Sequence, residues 1–240
     1  MAEYQTTRPV SAAAGAASID EGLRAHMTKV YGLMSVAMLI TAGTAWAVGS
    51  NETMFNAVFN TPLKWVVMFL PLVMVFAFSA MINRMSTAAA QLFFYVYAAA
   101  MGLSLAFIFA IYTGTSITTT FLTTSIAFGS LSLYGYTTKR DLSAMGAFLM
   151  MGLIGLIVAS VINIFMASSA LAFAISVIGL LIFAGLTAYD TQSIKNEYIE
   201  HARSGDTEWM GKSAIMGALR LYLDFINLFM FMLQFMGDRR

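Results

Sequence analysis

Two aspartates stand where carboxylates are expensive. Asp224 lies inside the apolar run 214–236, and Asp190 closes the run 168–189. A carboxylate at the centre of a bilayer costs roughly 2.5–3.5 kcal/mol, so one retained there is a functional hypothesis by default. The helix of the earlier run is expected to continue through Thr191 to Lys195, which puts Asp190 somewhat below the membrane surface. A polar loop over 195–212 joins the two runs, so their helices are antiparallel and both acids fall in the same half of the membrane.

The last run has a readable face. Ser213, Gly217, Arg220, Asp224, Asn227, Phe231 and Gln234 recur at steps of four and three, which makes one continuous stripe on a helix. The remaining faces, with Leu223, Phe225, Leu228, Phe229, Met232 and Phe235, are apolar. A polar stripe on a membrane helix points into the bundle or a water-filled cavity. On the preceding helix, Thr187, Asp190, Thr191 and Ile194 form a shorter seam by the same spacing.

Two aspartates brought within hydrogen-bonding distance cannot readily both ionise, and the pair titrates as a unit. A shared proton would hold the two helices together, and its loss would leave like charges that separate, admit water or accept a cation. Carboxylate oxygens suit calcium, but two alone bind it loosely and transiently, which favours passage over storage. A local reading stands beside this one. Asp224 would then only pair with Arg220 one turn earlier, and Asp190 would only finish a helix near the headgroups.

The elements that must position these residues follow from composition. Of 240 residues, 59% are hydrophobic and only 10% charged, too few charges for a water-soluble domain. One core could not hide so much apolar surface, so lipid is the solvent. Crossing the hydrocarbon takes ~20 apolar residues. On that basis seven helices are expected, over 30–49, 63–82, 88–112, 116–136, 144–166, 168–189 and 214–236. The fourth is diluted by threonine and serine, whose hydroxyls can return to the carbonyl four residues earlier. Residues 1–27, rich in Ala, Ser and Thr, read as a flexible tail, and 28–240 as one all-α membrane domain.

Charge placement sets the orientation. With the N-terminus inside, Arg8, Arg24, Lys29, Arg84, Lys139, Arg140, Lys195, Arg203, Lys212 and Arg220 fall on or near the inner side, and Lys64, Arg239 and Arg240 outside. A last run that re-entered instead of crossing would bring the C-terminus inside too. The net charge of +1 argues against nucleic acid as a partner, and the absence of cysteine excludes thiolate chemistry. His26 and His201 read as solvated residues, too few for a metal site.

Three stretches resemble the transmembrane Bax-inhibitor-motif family, most closely its bacterial members. They are AFGSLSLYGYTTKRDLS at 127–143, FAGLTAYDTQSIK at 183–195 and LYLDFINLF at 221–229. The resemblance covers roughly residues 27–237. It implies a seven-helix bundle with the last helix near the centre, in the inner (plasma) membrane with a cytoplasmic N-terminus. It also implies a pH-sensitive calcium leak channel whose sensor is Asp190 and Asp224, with calcium as permeant ion and no cofactor. Arg84 is the positional counterpart of the family's arginine latch on the acidic pair. Gln234 departs from the pattern, because related sequences often carry a basic residue nearby, and its neutral side chain removes an ion pair at that end.

Two other functions compete with the channel. An intramembrane aspartyl protease also carries a Tyr-Asp pair, matched by Tyr189-Asp190, but its second aspartate follows Gly-x-Gly, whereas Leu221-Tyr222-Leu223 precedes Asp224 here. The expectation is therefore of a non-enzyme. The alternative reading is an interaction protein that modulates a membrane protease or another quality-control complex.

Overall fold

The computed structural model describes residues 10–202 and 206–240. Arg8 and Arg203, counted above on the inner side, lie outside the described residues. The order of elements is α1 (Val10–Gly49), α2 (Glu52–Phe59), α3 (Leu63–Met81), a 3₁₀ turn (Ile82–Arg84), α4 (Thr87–Leu105) and α5 (Ile108–Ile111). Then come α6 (Gly114–Thr137), α7 (Ser143–Met166), α8 (Ser169–His201) and α9 (Thr207–Met236). Among the described residues six helices are long and apolar enough to cross a membrane, namely α1 from Ile19, α3, α4 with α5, α7, α8 and α9.

The fourth expected span is present as the 24-residue α6, whose threonines keep it less apolar than the other six. Its hydroxyls do return to the helix, as in Thr123 Oγ1 to Thr119 O at 2.8 Å and Thr124 Oγ1 to Thr120 O at 2.8 Å. One face, Ser116, Thr120, Thr124, Phe128, Ser132 and Gly135, is buried against α8 and α9. Leu122, Ile126 and Leu133 on the other side are exposed.

The bundle is organised around α9, which touches α1, α4, α6 and α8. Its apolar faces meet protein rather than lipid, with Leu221, Tyr222 and Leu233 fully buried. A helix whose apolar residues run all round belongs in a core. By contrast α7 packs on α8 and shows Phe148, Met151, Ile164 and Phe165 on its outer side. At 30 residues α9 runs about 45 Å, enough to cross completely. Its end is paired with the α5–α6 connection, where Thr113 N donates to Asp238 O at 3.2 Å and Arg240 N to Ile111 O at 2.9 Å. That is the end of α9 away from its start at Thr207, so the last helix crosses and does not re-enter.

Between helices the contacts are short and use small residues. A Cβ on Gly135 of α6 would collide with Ala188 O of α8, and one on Gly102 of α4 with Thr41 O of α1. With no hydrophobic drive between helices in lipid, such close backbone approach and interhelical hydrogen bonds hold the bundle. Thr41 Oγ1 is a node of this kind. It lies 2.9 Å from Ala98 O of α4 and 2.7 Å from Tyr222 Oη of α9.

Two expectations need correction, and one element lies between the expected spans. The tail is shorter than residues 1–27, because α1 begins at Val10 and Leu23, His26 and Met27 are buried. The cause is a stripe, Leu23, Met27, Val30, Met34 and Ala37, that continues the span's helical period past its apolar part. His26 is accordingly not solvated; it is buried against Tyr198 with ring centroids 4.9 Å apart, and its Nε2 has no hydrogen-bond partner. His201 is exposed and stacks on Trp209 at 4.0 Å. Finally, residues 52–59 form the short helix α2, capped by Asn51 Oδ1, which accepts from Met54 N at 3.0 Å.

Candidate functional site: an acidic pair between the last two long helices

The seams read from the sequence meet in antiparallel register. Going up α9 and down α8, Gly217 lies against Ile194, Asp224 against Asp190, Phe231 against Phe183 and Gly179, and Gln234 against Ser176. Each step of three or four on one helix is answered by a similar step on the other, as two stripes facing each other require. Gln234 Oε1 accepts from Ser176 Oγ at 3.1 Å, so the neutral residue at that end is held by a hydrogen bond.

Asp190 and Asp224 stand at matched positions of the α8–α9 seam, between the Gly217–Ile194 and Phe231–Phe183 contacts, and line the same cleft. Asp224 is only 4% exposed, and its Oδ2 has no hydrogen-bond partner. A buried carboxylate oxygen without a partner is costly, so this atom is an acceptor waiting for a proton, a water or a cation. Both acids line a cleft of about 580 Å³ between α7, α8, α9 and Leu72 of α3. Its polar wall also carries Arg220 and Asn227, and its apolar wall includes Ile157, Phe183 and Phe231.

The other sequence-derived residues divide. Asn227 faces the cleft while its Nδ2 donates to Leu223 O at 2.8 Å. Thr187 is fully buried and donates to Phe183 O at 2.8 Å. Thr191, also fully buried, turns to α6, where its Oγ1 lies 2.9 Å from Ser132 Oγ. That serine is in turn hydrogen-bonded to Tyr31 Oη of α1. Arg84 is not brought to the pair. It ends the 3₁₀ turn after α3, is exposed, and makes no ion pair or hydrogen bond among the described residues.

Arg220 does not pair with Asp224 as the local reading has it. Its guanidinium is held by Glu197 of α8, with Nη1 to Oε1 at 2.6 Å and Nη2 to Oε2 at 3.4 Å. It remains near enough to act on both aspartates through space. Glu197 was missed because the helix was taken to end at Lys195. Its position, seven residues after Asp190 and thus two turns along the same face, was the available signal. Among the described residues no three or more His, Cys, Asp and Glu side chains gather as a metal cluster.

A bundle of long apolar helices around a central one, with acids buried between its last two members, is an integral membrane protein of the all-α class. Residues 23–240 match the family described as Inhibitor of apoptosis-promoting Bax1, and the chain belongs to it. It is 48% identical to the Rickettsia prowazekii protein RP147 over 223 residues, 93% of each chain. It is 44% identical over 220 residues to the Escherichia coli inner membrane protein YbhL, covering 91% of this chain and 94% of that one. A Caulobacter vibrioides protein is 45% identical over 233 residues, 93% of this chain and 92% of the relative.

Proposed function

We propose that this protein is a pH-sensitive calcium leak channel of the bacterial inner membrane, gated by Asp190 and Asp224. The observation that carries the reading is that the two carboxyls line one cleft at matched positions of the α8–α9 seam, Asp224 being almost fully buried with an unpartnered oxygen. While one proton is shared, α8 and α9 stay joined at this point. When it leaves, two like charges face each other in a poorly screened site, and separation, water entry or a cation relieves them. Calcium is the permeant ion because a hard cation prefers carboxylate oxygens.

The pair holds no cofactor in this reading and performs no catalysis. Leu221-Tyr222-Leu223 stands before Asp224 where an intramembrane aspartyl protease carries Gly-x-Gly, which speaks against proteolysis. The inner membrane is supported by the name of the Escherichia coli relative, and a cytoplasmic N-terminus by the Lys and Arg distribution.

The test is calcium release from liposomes across pH. Wild type should leak faster as pH rises, and Asp190→Asn and Asp224→Asn should flatten the profile. Flux and pH profile unchanged in both variants would end the proposal.

A further inference from the structure

A second cavity, of about 570 Å³, opens between α1 and α6 on the opposite side of the bundle from α7. Its walls are two helical faces. On α1 they are Arg24, Met27, Thr28 and Tyr31, at steps of three and four. On α6 they are Phe128, Gly129, Ser132, Leu133 and Tyr136, at the same steps. The floor is closed by the hydrogen bonds from Tyr31 to Ser132 and on to Thr191.

The groove is graded along the membrane normal. At 1.5 Å per residue Arg24 lies about 37 Å along α1 from Gly49, and Tyr136 about 33 Å along α6 from Gly114, both beyond the ~30 Å of hydrocarbon. Phe128 lies about 21 Å along α6, inside the hydrocarbon. One end is therefore polar and cationic at headgroup depth, and the other apolar at acyl-chain depth. Arg24 is exposed and makes no hydrogen bond or ion pair among the described residues, although Asp20 stands four residues earlier. The Lys195 ammonium sits 5.4 Å from the Tyr136 ring centroid, adding positive charge at the same level. Leu133 and Gly129 are exposed, so the groove is open to lipid along its length.

We propose that this groove is a binding site for one anionic phospholipid. Its phosphate lies against Arg24, within reach of the Thr28 hydroxyl and Tyr136, and the start of an acyl chain runs along Phe128, Gly129 and Leu133. Charge complementarity and depth select this occupant: a soluble anion would leave the apolar half empty, and a zwitterionic lipid brings its own ammonium, which competes with Arg24 for the phosphate.

The purified full chain, stripped of lipid, is titrated with phosphatidylglycerol or with phosphatidylcholine of the same acyl chains, and bound lipid is counted by native mass spectrometry. Wild type should prefer phosphatidylglycerol by about fivefold, the worth of one basic side chain at a charged membrane surface. Arg24→Gln should abolish the preference. Gly129→Leu, whose new Cβ meets nothing within 4 Å, should fill the groove and weaken both lipids without disturbing the fold. The proposal is overturned if Arg24→Gln keeps the preference, if Gly129→Leu binds both lipids as wild type does, or if inorganic phosphate displaces the bound lipid.

Discussion

Glu197 holds the Arg220 guanidinium beside the acidic pair, and removing its charge would be the sharpest perturbation of the proposed gate. In Glu197→Gln the bonds at 2.6 and 3.4 Å lose their ionic character, and Arg220 becomes free to turn towards Asp190 and Asp224. Two unit charges 4 Å apart interact by about 4 kcal/mol at an effective dielectric constant near 20. The Arg220 and Glu197 side chains are 36% and 35% exposed, so solvent screening must be allowed for. That leaves roughly 1 kcal/mol, or about 0.5–1 pH unit. A cation beside a carboxyl pair favours its ionised form, so the midpoint of calcium flux should move to lower pH by that amount. The assay is liposome flux at closely spaced pH values, with a thermal melt to establish that the variant is folded. Arg220→Gln should move the midpoint the other way. A folded Glu197→Gln protein whose midpoint stays fixed, or rises, would refute the claim that Arg220 is held in reserve.

The packing makes three further outcomes measurable by melting in detergent. Gly135→Ala should destabilise by about 1–3 kcal/mol, because its Cβ would collide with the Ala188 carbonyl. Gly155→Ala, with nothing within 4 Å, should be neutral or slightly stabilising; equal melting of the two would remove the close-approach argument. His26→Phe should be neutral or raise the melting temperature, since it deletes a buried nitrogen without a partner while keeping the contact with Tyr198. Tyr222→Phe should cost about 0.5–1.5 kcal/mol through loss of the bond to Thr41, with the flux midpoint unchanged because this node lies away from the carboxyls.

The acidic pair was legible because its signal is periodic. Asp224 lies on a stripe of threes and fours, Asp190 on a shorter one, and an inner loop forces the two helices antiparallel; the observed register follows from those facts. What could not be read lies where hydropathy stops being informative. Residues 196–201 extend α8 beyond the apolar run with Tyr198 packed against His26, so Glu197 sits on a helix that composition alone had ended. Likewise Leu23 and Met27 belong to α1 by period but to a polar segment by composition. Arg84 was placed by resemblance rather than by any spacing of its own, and the 3₁₀ turn carries it outward. The burial of most of α9 against other helices was not visible either, because an apolar face has the same sequence whether it meets lipid or another helix.

The small-residue contacts also decide which motions are open to the gate. Asp190 rides on α8, whose backbone is pressed against α6 at Gly135 and Ala188. Asp224 rides on α9, tied through Tyr222 and Thr41 to α1 and α4. Each carboxyl therefore rides on a helix held by its own close contacts, and in the proposed channel parting them would mean moving α8 and α9 past each other, not swinging a single side chain. In the proposed channel a proton at this seam would work like a pin between two plates: it would set whether they can shear, and the repulsion released when it is drawn would supply the force.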